Sequence, residues 1–173
     1  MITLFLGGAR SGKSELAERR ALALADDGPL HYVATGIATD DDMARRIDAH
    51  RRRRDPRFVT VEAGLDLGAT LLGLGPDRAP ALVDALGTWV ARHDDFDVDV
   101  DALVGALLER AARVAPTVLV SDEVGLGVHP ETEVGRQFRD ALGAVNQRVA
   151  EVADHVYLVV AGRALALDRM DGG

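Results

Sequence analysis

The sequence contains no cysteine, which excludes disulfide scaffolds and thiolate metal centres. It also lacks any apolar run of membrane-spanning length. Near the N-terminus the apolar run Ile2 to Leu6 is too short for the core of a signal peptide, so the expectation is a cytoplasmic protein without a membrane span. No internal repeat, low-complexity linker or composition break divides the chain, and residues 1–173 are expected to form a single domain. Positive charge is in deficit: 28 Asp and Glu outweigh 20 Lys and Arg for a net charge of −8. That removes the electrostatic basis for nucleic acid as the main partner and favours a small-molecule substrate. Scarcest among the charged types is lysine. Of the 20 basic side chains a single one, Lys13, is lysine and all the others are arginine.

That lysine stands in Gly7-Gly8-Ala9-Arg10-Ser11-Gly12-Lys13-Ser14, a complete G-x-x-x-x-G-K-[ST] phosphate loop. In such a loop backbone N–H groups curl around phosphate oxygens, the ammonium reaches the β- and γ-phosphates, and the hydroxyl ligates Mg²⁺. Arginine's planar fork is no substitute for that compact charge. A chain that uses arginine wherever else it needs a base, and lysine only here, points to nucleoside triphosphate binding. The context agrees, because the loop follows the apolar run Met1 to Leu6 and precedes a helical segment from Ser14 to Ala25.

Beyond the loop, strand-like and helical segments alternate. Leu30 to Thr35, Phe58 to Glu62, Pro80 to Asp84, Thr117 to Ser121 and His155 to Ala161 read as strands. Helices are expected from about Asp40 to Arg54, Leu65 to Leu74, Asp99 to Val114 (with Leu103, Leu107 and Leu108 on one face) and Thr132 to Val152. Gly162 to Gly173 reads as a short tail. Repeated strand–helix units imply an α/β fold with a mostly parallel sheet flanked by helices.

Phosphate-loop chemistry requires a carboxylate at a strand end for Mg²⁺. Asp84 and Asp122 both qualify, the latter with Glu123 beside it. A further polar centre lies in the segment Asp40-Asp41-Asp42 to Arg51-Arg52-Arg53-Arg54, where His50 shares a helical face with Arg46, Ile47, Arg53 and Arg54. An imidazole among guanidinium groups is held neutral and nucleophilic, and the arginines suit a polyphosphate. From these residues alone two readings stay open for this segment. A helical histidine is also an ordinary packing residue, and an arginine run an ordinary solvated face.

The ordered motifs narrow the choice. Alongside GGARSGKS stand Asp41-Asp42-Met43 with Arg46-Ile47 and His50-Arg51, then Leu82-Val83-Asp84-Ala85-Leu86 with Thr88-Trp89, and Glu123-Val124-Gly125-Leu126-Gly127-Val128-His129-Pro130. Arg136-Gln137-Phe138-Arg139-Asp140, Gly143-Ala144-Val145-Asn146-Gln147 and Ala153-Asp154 follow. Together they resemble the bifunctional adenosylcobinamide kinase / adenosylcobinamide-phosphate guanylyltransferase family of cobalamin biosynthesis, over nearly the whole chain.

The resemblance implies a single-domain, RecA-like P-loop NTPase fold and two reactions. A nucleoside triphosphate, ATP or GTP, phosphorylates adenosylcobinamide. GTP then guanylylates an enzyme histidine, and the GMP passes to the corrinoid phosphate to give adenosylcobinamide-GDP. His50 matches the family nucleophile, and Lys13 joins it as a catalytic residue. Gly7 to Ser14 would bind triphosphate, with further nucleotide contacts from Ala34, Thr35, Gly36, Arg51, Arg52, Arg53, Arg54, Glu62 and Asp84, and with Mg²⁺ held by Ser14 and Asp84. A homotrimer is also implied. Two positions depart from the family pattern: Asp122 stands where asparagine often precedes Glu-Val-Gly, and Leu86-Gly87-Thr88 replaces the familiar Leu-Thr. A kinase with one activity and a nucleotide-dependent switch protein are the other readings of the same loop.

Overall fold

Strand β1 (Ile2–Gly7) is apolar nearly throughout and buried along almost its whole length, as expected of a strand in the middle of a sheet covered on both faces. It pairs in parallel with β5 (Thr117–Asp122) and with β6 (His155–Val160). The structure, a computed structural model, describes residues 1–36, 54–75 and 77–169. The helix expected to begin at Asp40 falls outside the described residues, and so do Asp41, Asp42, His50, Arg51, Arg52 and Arg53; Arg54 lies within them.

Among the described residues, seven strands form one sheet in the order β3 (Phe58–Glu62), β2 (Leu30–Ala34), β4 (Ala81–Asp84), β5, β1, β6, β7 (Arg163–Ala166). All pairings are parallel except that of β6 with β7. The alternation of side chains along each strand divides the core in two. Phe5, Leu30, Tyr32, Leu82, Val118 and Val120 gather on one face with Ala17 and Ala21 of helix α1 (Lys13–Ala25). The small alanines let α1 lie close against the sheet. On the other face Leu4, Val33, Val83 and Leu119 meet α2 (Leu67–Leu72), α3 (Leu86–Val90), α4 (Val100–Ala112) and α5 (Glu133–Val152).

Helices α4 and α5 start where their sequences supply side-chain caps. Asp99 accepts from the Ala102 amide at 2.8 Å, and Thr132 from Gly135 at 3.1 Å, each stabilising its helix by about 1 kcal/mol. Helix α5 buries Leu142, Val145 and Val149, one stripe at helical spacing; each buried aliphatic side chain contributes about 1.5–3 kcal/mol. Helix α4 buries Leu103 and Leu107, but Leu108 is about half exposed. Five residues beyond Leu103, it has rotated off the face it was expected to share. The same helix buries Arg110, which donates to Thr117 Oγ1 at 3.1 Å and to the carbonyls of Leu71 and Ala79 at 3.4 and 3.1 Å. Burial lowers its pKa, and its bonds tie α2 and α4 to the sheet.

The short tail expected after Gly162 is instead a strand. Ala161 and Gly162 have φ of 51° and 73°, the two-residue turn with both central residues at positive φ that matches the twist of a hairpin, and β7 returns antiparallel along β6. The turn lacks the usual Asn-Gly signature, and all of β7 is exposed, so neither its turn chemistry nor its burial pattern marks it in sequence. No helix among the described residues is long and apolar enough to cross a membrane.

Candidate active site

The parallel strands end at one edge. Gly7 of β1 lies opposite Asp122 of β5, and Ala34 of β2 lies between Asp84 of β4 and Glu62 of β3. Open parallel sheets bind ligands outside such carboxyl ends.

The segment Gly7 to Lys13 turns sharply there. Gly7 is compulsory: a Cβ would stand 2.6 Å from Ser11 Oγ and 2.7 Å from the Val159 carbonyl. Gly12, at φ 92°, turns the loop into α1 and leaves the helix start without a side-chain cap, so first-turn N–H groups remain available to an anion. The loop is braced from behind by the β6–β7 turn. Gly162 donates its amide to the Ser11 carbonyl at 2.7 Å, and a Cβ on Gly12 would lie 3.1 Å from Gly162 Cα. Gly8, Ala9 and Arg10 are exposed at the mouth of a 430 Å³ cleft bounded by Glu123, Leu126, Val159 and Ala161.

Both strand-end carboxylates meet this loop. Asp84 Oδ1 accepts from Ser14 Oγ at 3.3 Å, and Asp84 Oδ2 accepts from the Tyr32 hydroxyl at 2.7 Å. Burial, and next the neighbouring Asp84 charge, push the Tyr32 phenol far above its usual range, so it stays a protonated donor. Asp122 Oδ1 pairs with Lys13 Nζ at 2.8 Å, while Lys13 also donates to the Gly8 carbonyl at 3.2 Å. Ser14 Oγ and Asp84 Oδ1 are hard oxygens adjacent in space, a donor set that suits Mg²⁺, which typically takes one or two protein oxygens together with substrate phosphates. Among the described residues, no group of three His, Cys, Asp or Glu side chains is placed to hold a metal.

The remaining expected residues lie along the same edge. Thr35 is buried. Its hydroxyl donates to the Ala85 carbonyl at 2.7 Å and accepts from the Ala85 amide at 2.8 Å, locking the exit of β2 to that of β4. Arg92 donates to the Thr35 and Ala63 carbonyls at 3.0 and 2.9 Å, fixing the backbone on either side of Gly36 and Glu62. Arg54 is turned inward. Its side chain is 6% exposed, its Cζ stands 3.2 Å from the centre of the Tyr32 ring, and Glu18 Oε1 is 3.9 Å from its Nε. Glu123 accepts from the Gly125 and Leu126 amides at 2.8 and 3.0 Å, which shapes an exposed loop rather than one packed on the sheet; Leu126 and Val128 are 79% and 96% exposed.

Tyr32 and Gly162 are site residues that the sequence did not mark. A tyrosine in a strand is unremarkable, and only the pairing of β2 with β4 aims its hydroxyl at Asp84.

The model of the cobinamide kinase / cobinamide phosphate guanyltransferase family matches residues 3–167. The bifunctional adenosylcobalamin biosynthesis protein CobP of Pseudomonas aeruginosa is 41% identical, covering 96% of this chain and 97% of its own. The proteins named CobU of Salmonella typhimurium and Escherichia coli are 38% and 35% identical, each covering 94% of this chain and 97% of their own. Among solved structures, the P4 protein of bacteriophage phi6 in complex with ADP aligns with a TM-score of 0.53 at 14% identity, covering 95% of this chain and 53% of that one. A KaiC-like protein from Pyrococcus horikoshii aligns at 0.50 and 14%, covering 91% and 69%. These likenesses show the fold alone, an α/β domain built on a mostly parallel sheet flanked by helices.

Proposed function

We propose a function from one premise: the chain belongs to the cobinamide kinase / cobinamide phosphate guanyltransferase family. It is a bifunctional transferase of cobalamin biosynthesis that uses nucleoside triphosphates. The observation that carries this reading, beyond the match itself, is the convergence of Lys13, Ser14, Asp84 and Asp122 on the phosphate loop at one edge of the sheet.

In the kinase step, backbone N–H groups of Gly8 to Ser14 and the Lys13 ammonium bind the β- and γ-phosphates, and the corrinoid's aminopropanol hydroxyl attacks the γ-phosphorus; the new O–P bond forms as the β–γ bridging oxygen leaves with the nucleoside diphosphate and the hydroxyl proton passes to solvent. Alignment and charge neutralisation supply the acceleration. Ser14 and Asp84 hold Mg²⁺, which when bound offsets negative charge on the triphosphate. Tyr32 keeps Asp84 turned so that one oxygen faces Ser14.

In the transferase step, His50 attacks the α-phosphorus of GTP. A nitrogen–phosphorus bond forms and pyrophosphate leaves; the corrinoid phosphate oxygen then takes the GMP and frees His50. Arg51, Arg52, Arg53, Ala34, Gly36 and Glu62 line the nucleotide in this reading; buried Thr35, expected beside them, instead locks β2 to β4 from behind, and Arg54 contributes through Tyr32. The enzyme acts in the cytoplasm as a homotrimer. Exposed Val160, Leu165 and Leu167 along the edge hairpin are apolar surface of the kind that contact between copies covers. Sedimentation showing a monomer at working concentration would remove that element.

Two isotopic labels test the pair of reactions. With adenosylcobinamide, label from the γ-phosphate should appear in the corrinoid monophosphate, and label from α-labelled GTP in the guanylylated product. Transfer of γ-label alone would reduce the protein to a kinase.

A further inference from the structure

Lys13, the phosphate-binding cation of the loop, already has an anionic partner. Its ammonium lies 2.8 Å from Asp122 Oδ1, and their side chains are only 11% and 35% exposed, so water screens the pair less than it would a surface ion pair. The strand tip that carries Asp122 is fixed from both sides. The Asp122 carbonyl accepts from Asn146 Nδ2 at 3.1 Å, Ser121 Oγ donates to Asn146 Oδ1 at 2.6 Å, and the Glu123 amide donates to the Gly7 carbonyl at 3.1 Å. The carboxylate occupies a seat that exists because residue 87 is glycine: a Cβ there would stand 2.5 Å from Asp122 Oδ2 and 3.4 Å from its Cγ. Asp84 is engaged separately, by Tyr32 and Ser14.

We propose that Asp122 is a positioning residue for Lys13. Seated against Gly87, its carboxylate holds the ammonium over the loop in the nucleotide-free protein and competes with the triphosphate for it, so that Asp122 sets triphosphate affinity. This rests on the reading of the loop as a triphosphate site. The sign follows from charge: phosphate oxygens arriving at Lys13 meet a carboxylate already bound to the same ammonium, and that like-charge contact opposes binding. Lys13 has three donors, of which Gly8 and Asp122 take two.

The sole lysine makes the proposal directly observable, because protein labelled with ¹⁵N-lysine gives a single side-chain ammonium signal. Asp122→Asn should shift that signal in the free protein. Gly87→Ala, which displaces the carboxylate without removing its charge, should shift it in the same direction, and the double variant should match Asp122→Asn. Titration with a non-hydrolysable GTP analogue in EDTA should show Asp122→Asn binding roughly threefold to tenfold more tightly than the parent. An ammonium signal unchanged by Asp122→Asn, or equal or weaker binding in EDTA, would overturn the proposal. A signal that the analogue moves in none of the proteins would overturn both the proposal and the triphosphate reading.

Discussion

The tips of β4 and β5 present the same residue type at neighbouring positions, yet the two aspartates do different things. Asp84 accepts from two neutral hydroxyls, Tyr32 and Ser14, and in the proposed function would meet a cation there. Asp122 spends its charge on Lys13. The difference comes from neighbouring strands rather than from the tips themselves. Beyond β4 lies β2, which delivers a phenol; beyond β5 lies β1, whose loop delivers the lysine. A strand-end carboxylate takes its role from what stands beside it.

The largest effect should come from destroying the β4 side. Asp84→Ala should lower the rate of the kinase step by about 10²–10³ at saturating corrinoid and raise the Mg²⁺ needed for half-maximal rate; Asp122→Asn should leave that Mg²⁺ requirement near the parent value. A Mg²⁺ requirement raised equally in both would erase the distinction between the tips.

Tyr32→Phe sharpens the comparison by removing one donor. The kinase rate should fall about tenfold to a hundredfold, the cost of one hydrogen bond to a charged group, with a modestly higher Mg²⁺ requirement. The same substitution has a pH signature. The Tyr32 pKa is raised in the folded protein from an ordinary value of 10.0, by burial first and then by Asp84. The folded state therefore holds the phenolic proton more tightly than the unfolded state. Its contribution to stability is complete below the ordinary value and is lost as pH rises toward the folded one. Denaturant midpoints should fall more steeply above pH ~10 in the parent than in Tyr32→Phe.

The smallest effect tests the support behind the loop. Gly162→Ala places a Cβ at φ 73°, where nothing crowds it, so backbone strain alone should destabilise the fold by about 1–2 kcal/mol in urea unfolding. Triphosphate affinity should weaken slightly, because the Gly162 amide steadies Ser11.

How much of this was legible in the sequence depends on how local each feature is. The phosphate loop, its lysine and its helix lie within consecutive residues, and the strand-end aspartates announce themselves by following apolar runs. The mostly parallel sheet follows from alternating elements. Nothing local, however, says that Tyr32 reaches Asp84, since that depends on β2 lying beside β4. Gly87 and Asp122 each stood out as a departure from the family pattern, but their fit as seat and carboxylate exists only once α3 packs against the tip of β5. The β6–β7 hairpin escaped notice because an Ala-Gly turn and an exposed strand carry neither turn chemistry nor hydrophobic alternation.

The account as a whole turns on His50, proposed as the nucleophile because its position matches the histidine of the family motif. The most direct measurement is intact-mass and peptide mapping of the full chain after incubation with GTP and Mg²⁺ in the absence of corrinoid. One GMP per chain, attached to His50 and absent from His50→Ala, is the predicted result. No adduct on active protein, or an adduct mapped to His129 or another side chain, would contradict it.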